Sequence, residues 1–164
     1  MRHYLWLLGA MLLLSGCASG PGFPVEGVNT DLKPQQASAV PDGAQGERVL
    51  WGGRIIHAEP GRETTRIEVL GYPLQRNQKP DTSAGSEGRF VIIHDGYLEP
   101  ADHAPNRLIT VGGYLQQPKQ GRIGEADYLY PVIVADDLHL WPEEPRVVRE
   151  EPRVRFGIGV MISR

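Results

Sequence analysis

Thiol chemistry is almost missing from this chain. Its 164 residues include one cysteine, Cys17. A lone cysteine excludes an intramolecular disulfide framework and a Cys-rich zinc site. A large excess of either charge is missing as well. Lys and Arg number 17 against 20 Asp and Glu, a formal net charge of −3. No domain-wide basic excess exists to neutralise a phosphate backbone, which argues against nucleic acid as a partner. Long apolar runs are also absent. The most hydrophobic stretch, Leu5 to Leu14, is about ten residues, roughly half of what a membrane-spanning helix needs. Signatures of common chemistries are wanting too: there is no Gly-x-Ser-x-Gly elbow, no phosphate-binding loop and no His-x-x-x-His pair.

What is present begins at the N-terminus. Arg2 and His3 make a short positive start, the leucine-rich run follows, and small residues come after it. That order describes an export signal. Leu14-Ser15-Gly16-Cys17 resembles a bacterial lipobox. The small residues let the peptide enter a signal peptidase in extended form. The Cys17 sulfur is the nucleophile that takes a diacylglyceryl group as a thioether. Cleavage before it frees an amine for a third acyl chain, giving an N-palmitoyl, S-diacylglycerol cysteine. Each buried methylene adds about 0.8 kcal/mol of membrane affinity, so two or three chains hold firmly where one does not. Asp directly after the cysteine usually retains Gram-negative lipoproteins at the inner membrane. Ala18 stands there instead, so the outer membrane, at its periplasmic face, is the expected address.

The rest of the chain is rich in turn formers, with Gly 20 and Pro 14. That composition favours β structure. Residues 1–16 read as signal peptide, 17–46 as lipidated cysteine and flexible tether, 47–142 as a β domain and 143–164 as a tail. The Gly-, Pro-, Ser- and Asn-rich composition of residues 18–46 would give a free chain a reach of about 30 Å. Docking of Val25 to Leu32 on the body is the alternative.

Five strands are predicted: Val49–His57, Thr64–Leu70, Arg89–His94, Arg107–Gln116 and Tyr128–Ala135, the last continuing through Leu138–Trp141. In the second, Thr65, Ile67 and Val69 alternate with Arg66 and Glu68, the period of a half-buried strand. Gly52-Gly53 and Gly112-Gly113 sit inside strands, where a bulge or sharp coil needs positions without a Cβ. The expectation is an all-β fold: a small five-stranded OB-like barrel behind the tether. A twisted open sheet is the alternative. Phe156–Ile162 in the tail could add an edge strand.

Candidate chemistry is sparse. His57, His94, His103 and His139 read as solvated or capping side chains. The densest titratable group is Asp95, Glu99, Asp102 and His103 with His94 adjacent, from which a hydrolytic or metal site is conceivable. The same residues describe an ordinary polar loop. Trp51, Tyr72, Tyr97, Tyr114, Tyr128, Tyr130 and Trp141 suit either a barrel core or a binding face. No catalytic, cofactor or metal residue is assigned; the assigned site residue is Cys17.

The segments VLWGGRII, RIEVLGYPL, KPD, GRFVI, GYLEP, RLITVGGYL and YLYPVIVADDLHLW, behind the lipobox, resemble the Slp family of outer-membrane lipoproteins, named for starvation-inducible lipoproteins of Gram-negative bacteria. The resemblance covers residues 12 to about 142 and leaves out the tail from Arg146. It implies an outer-membrane location, an association with stationary phase or envelope stress, and lipidation at Cys17. It carries no catalytic residue. The expected role is a non-enzymatic, membrane-held β domain that binds an envelope protein or glycan. A small-ligand carrier inside the barrel and a periplasmic hydrolase are the alternatives.

Overall fold

The computed structural model describes residues 20–143. The signal region, Cys17 and the Phe156–Ile162 stretch lie outside the described residues. Five strands follow two short helices: α1 (Pro34–Ala39), α2 (Pro41–Ala44), β1 (Arg48–Pro60), β2 (Thr64–Tyr72), β3 (Arg89–Asp95), β4 (Leu108–Ile123) and β5 (Ala126–Leu140). They close into a barrel in the order β1-β2-β3-β5-β4. Neighbours are antiparallel except β3 and β5, which run parallel with Val91 opposite Val132. This is the OB-like arrangement that the strand pattern predicted.

Alternation builds the core. Thr65, Ile67 and Val69 of β2 point inward, as their spacing predicts. Ile55, Phe90, Ile92, Ile109, Val111 and Ile133 join them with almost no exposure. Each such side chain contributes about 1.5–3 kcal/mol of burial. Trp51 lies edge-on to Phe90, ring centroids 5.2 Å apart.

The glycine pairs do the expected job at one place, Gly112-Gly113, and a second job at both. The register irregularities of β1 and β4 fall between Ile55 and His57, between Gly112 and Gly113, and between Gln116 and Lys119. Only one of the three touches a glycine pair. Gly53 and Gly113 also permit close approach of a neighbouring strand: a Cβ on either would collide with the carbonyl oxygen of Leu70 or Val134.

β4 and β5 are longer than predicted, forming a hairpin that turns at Gly124-Glu125. Pro118 is accommodated because the ladder is already broken between Gln116 and Lys119, so no pairing N–H is missed. The hairpin's distal part lies over the outer face of β3. Tyr130 and Val132 cover Val91 there, with Ile123 and Tyr128 beside them. A Cβ on Gly121 would meet the Tyr130 ring at 2.8 Å, so the ring covers bare backbone. The Tyr130 hydroxyl donates to Glu68 Oε1 at 3.1 Å, and Arg89 pairs with the same oxygen at 2.9 Å.

Burial first, then the Glu68 carboxylate, raises the Tyr130 pKa above the ordinary phenol value. The neutral phenol is therefore favoured in the folded state. Its contribution to stability is complete below the unfolded value near pH 10 and is lost as pH rises through the folded one. Glu68→Gln should move this titration back toward the ordinary value without reaching it, since burial is the larger cause. An ultraviolet difference titration against Tyr130→Phe reads the shift.

Residues 20–46 do not form the free spacer expected from composition. Asn29 donates its backbone N–H to Arg48 O at 2.8 Å, and its side chain accepts from Leu32 N at 3.1 Å. Trp51 Nε1 donates to Leu32 O at 2.7 Å. Ala37 and Ala44 enter the main core, so α1 and α2 cap the end of the barrel where β1 begins. The opposite end is held by Thr65, whose hydroxyl donates to Gly96 O at 2.8 Å and accepts from Leu98 N at 3.0 Å. Among the described residues no helix is long and apolar enough to cross a membrane.

A candidate binding cleft on the barrel wall

The β2–β3 connection, residues 73–88, folds down over β1 rather than looping into solvent. Leu74 and Pro80 bridge within it. Gly52 makes room for this: a Cβ there would meet Leu74 Cδ2 at 2.7 Å and Pro80 Cγ at 2.9 Å. Opposite lies the docked N-terminal segment. Between the two runs a cleft of about 420 Å³, floored by Trp51 and walled by Leu32, Leu50 and Leu74. That is the size range of small-molecule sites, which pair apolar walls with a few polar groups. Here the polar rim holds Thr30, Lys33, Gln75, Arg76 and Glu87.

One rim contact ties the two walls together. Lys33 Nζ reaches Glu87 Oε1 at 2.8 Å. The hydrogen bond to Glu87, followed by its charge, raises the Lys33 pKa, so the ammonium is held protonated at neutral pH. Glu87 O in turn accepts from Gln35 N at 2.8 Å.

A second contact is a clasp built on Gln78. Its side-chain oxygen accepts from Phe23 N, and its amide nitrogen donates to Phe23 O, both at 2.9 Å. Its own carbonyl accepts from the Thr110 hydroxyl at 2.8 Å, and that hydroxyl accepts from Trp141 Nε1 at 2.9 Å. Gln78 adopts φ 66°, unusual for a residue with a Cβ. Gln78→Gly keeps the backbone shape and loses the clasp; Gln78→Ala loses both. Each clasp bond is worth about 0.5–1.5 kcal/mol. Amide hydrogen exchange at Phe23 should speed up in both variants, with the larger fall in global stability in Gln78→Ala.

The acidic and histidine group singled out in the sequence does not converge. His103 is buried, but its Nδ1 faces Glu99 O at 3.1 Å, a backbone partner. The Glu99 carboxylate accepts from the Tyr97 hydroxyl at 3.3 Å. Asp102 is exposed, and its carbonyl accepts from Arg107 at 2.9 Å. Asp95 is exposed at the end of β3. These contacts stitch the 96–107 loop to itself. Among the described residues, no three or more His, Cys, Asp or Glu come together as metal ligands. His57 sits exposed, 3.2 Å from Glu59, and His139 packs edge-on to Trp141 at 4.7 Å. His94 is half-buried, with Nδ1 lacking a hydrogen-bond partner.

The aromatics divide. Trp51 serves both core and cleft floor, Trp141 is buried, Tyr72 lines the cleft, and Tyr97 and Tyr114 are exposed. The barrel interior is filled by side chains such as Phe90, Ile55 and Ile92. Among the described residues, open space therefore lies in the cleft on the wall, where Trp51 is the floor, and not among these interior side chains. Gln78 and Gly52 were not singled out for the cleft. The signal for Gly52 was its place in a glycine pair; Gln78 offered none.

A model of the outer membrane lipoprotein Slp family matches residues 14–158. The chain belongs to the Slp family. The match extends past Arg146, so much of the tail that the sequence resemblance left out falls within the family span. A Haemophilus influenzae protein named only as uncharacterized is 34% identical over 134 residues, 78% of this chain and 70% of its own. The Escherichia coli outer membrane protein Slp is 27% identical, with 82% of this chain and 72% of its own length covered. The Escherichia coli lipoprotein YeaY is also 27% identical, with 84% and 71% covered. Slp membership puts the chain among outer membrane lipoproteins.

Proposed function

We propose that this Slp-family chain is a non-enzymatic binding module, held by acyl chains on Cys17 at the periplasmic face of the outer membrane, with an envelope protein or glycan as its partner. The carrying observation is the family match, which begins at residue 14 and so takes in the Leu14–Cys17 motif. The binding role is supported by the cleft above Trp51. A non-catalytic role is supported by the loop contacts of Glu99 and His103, which turn toward backbone and a tyrosine rather than toward each other. Service in envelope maintenance under starvation or stress accords with the family resemblance.

Two experiments test this. Cys17→Ser should abolish incorporation of labelled palmitate and should move the protein from the membrane to the soluble fraction, whereas globomycin should make the parent accumulate as a labelled but uncleaved precursor. Persistence of label would overturn the anchor. For the partner, a photo-crosslinking residue at Thr30 or Gln75 on the cleft rim should capture an envelope component in intact cells that the same residue at Gln120 of the hairpin does not. Identical captures from all three positions would remove the cleft from the proposal.

A further inference from the structure

The anchor reading sets where a membrane attaches, and the docked N-terminal segment decides which side of the barrel must face it. Gly20 lies directly against the Asn77 carbonyl, close enough that a Cβ on Gly20 would collide with it. Three residues on, Gln78 grips Phe23 by both its backbone groups. Phe23 also approaches the β4 wall, with its Cδ1 at 3.9 Å from where a Cβ of Gly112 would stand. Pro21 to Pro24 run on beside Asp137, Leu138 and His139 of β5. The segment is thus fixed to the barrel wall from Gly20 onward.

Only Ala18 and Ser19 separate Gly20 from Cys17. Three peptide steps span at most about 11 Å however they are arranged. An acylated Cys17 therefore cannot stand farther than that from the Asn77 region, a third of the reach that a free tether would have. We infer that the wall made by residues 20–25 and the adjoining 75–79 part of the β2–β3 connection is the face this barrel lays against the phospholipid headgroups. Resting on the Cys17 reading, it adds an orientation that the anchor alone does not fix. Two exposed side chains of this face fit such a surface: Val25, 57% exposed, and the cationic Arg76 beside Asn77. Apolar groups and cations are the side chains that settle at an anionic headgroup layer. The consequence for binding is direct, because Val25 and Arg76 also line the cleft. The cleft opens beside the bilayer, so its partner is met at the membrane surface.

The single natural cysteine makes the test clean, since an acylated Cys17 leaves no thiol to compete for label. The full-length lipidated protein would carry one introduced cysteine, Val25→Cys, Arg76→Cys or, as the distant position, Arg62→Cys in the β1–β2 turn. Each is labelled with an environment-sensitive fluorophore and reconstituted into phosphatidylethanolamine–phosphatidylglycerol vesicles bearing a headgroup quencher. The expected result is marked loss of fluorescence at positions 25 and 76, with little at 62. Gln78→Gly, which frees Phe23 and lengthens the tether, should shrink that difference. Co-flotation with equal quenching at all three positions overturns the orientation and leaves the anchor intact. Failure to float with the vesicles overturns the anchor, and the orientation with it.

Discussion

Gly113→Ala unfolds or severely destabilises this protein, while Gly112→Ala, one residue earlier in the same strand, leaves it near wild type. The contrast follows from what a single methyl group meets. At Gly113 it would strike the Val134 carbonyl oxygen, part of the β5 backbone that pairs with β4. A backbone carbonyl cannot swing aside as a side-chain end can, so the strands must part and the ladder must break. Overpacking usually costs about 1–3 kcal/mol, and losing ladder bonds adds to it, so more than about 3 kcal/mol is expected. Total stability of a domain is only about 5–15 kcal/mol. At Gly112 the nearest atoms are Leu50 Cδ1 at 3.8 Å and Phe23 Cδ1 at 3.9 Å, ordinary contacts. There the gain from a stiffer unfolded chain can offset the rest, keeping the change within about 1 kcal/mol. Urea titration of the two variants measures it. Equal stabilities would show that β4 and β5 are not packed this closely. Gly53→Ala should behave like Gly113→Ala, since its methyl meets the Leu70 carbonyl oxygen.

The legible part of the fold was the part written in alternation. Thr65, Ile67 and Val69 point inward because residues two apart share a face, a rule that needs no tertiary knowledge. The same rule fails for residues 117–127, where polar side chains occupy both faces and Pro118 and Gly121 interrupt. That stretch is a strand because it pairs with the start of β5, and Ile123 packs with Tyr128 and Tyr130 over Val91 on the outer face of β3. Residues 20–46 failed for a related reason. Their bonds come from groups far along the chain, Gln78, Arg48 and Trp51, and nothing local announces them.

The candidate site divides along the same line. The proposed anchor at Cys17 rests on a short linear motif, Leu14 to Cys17, which needs no fold to be legible. The cleft was not legible, because it exists between two segments whose composition individually says loop. Its floor, Trp51, stood in a recognisable strand, yet its indole N–H is committed to Leu32, a residue of the supposed spacer. The cluster of Asp95, Glu99, Asp102 and His103 misled because proximity in sequence says nothing about which way side chains turn. Here Glu99 serves the 96–107 loop through both its carboxylate and its carbonyl.

Phe90→Ala is expected to cost about 3–5 kcal/mol, the usual penalty for emptying a buried aromatic site. Phe90 is fully buried on β3, and its ring supports the edge of Trp51 at 5.2 Å. Removing it opens a void directly beneath the cleft floor. The barrel closes on itself, so the walls cannot collapse far to fill it, and the upper part of the range applies. Phe90→Leu restores most of the volume and should cost about 1 kcal/mol. The damage is not confined to stability. With Phe90 gone, Trp51 can drop inward, which stretches its 2.7 Å bond to Leu32 and loosens the wall that Leu32 forms. Thermal melts should therefore rank wild type, Phe90→Leu and Phe90→Ala in falling order. Amide exchange at residues 30–34 should accelerate in Phe90→Ala under conditions where it is still folded. A Phe90→Ala variant that melts like wild type would mean that Trp51 does not rest on this ring. The cleft would then owe its shape to the clasp at Gln78 and the Lys33–Glu87 pair alone.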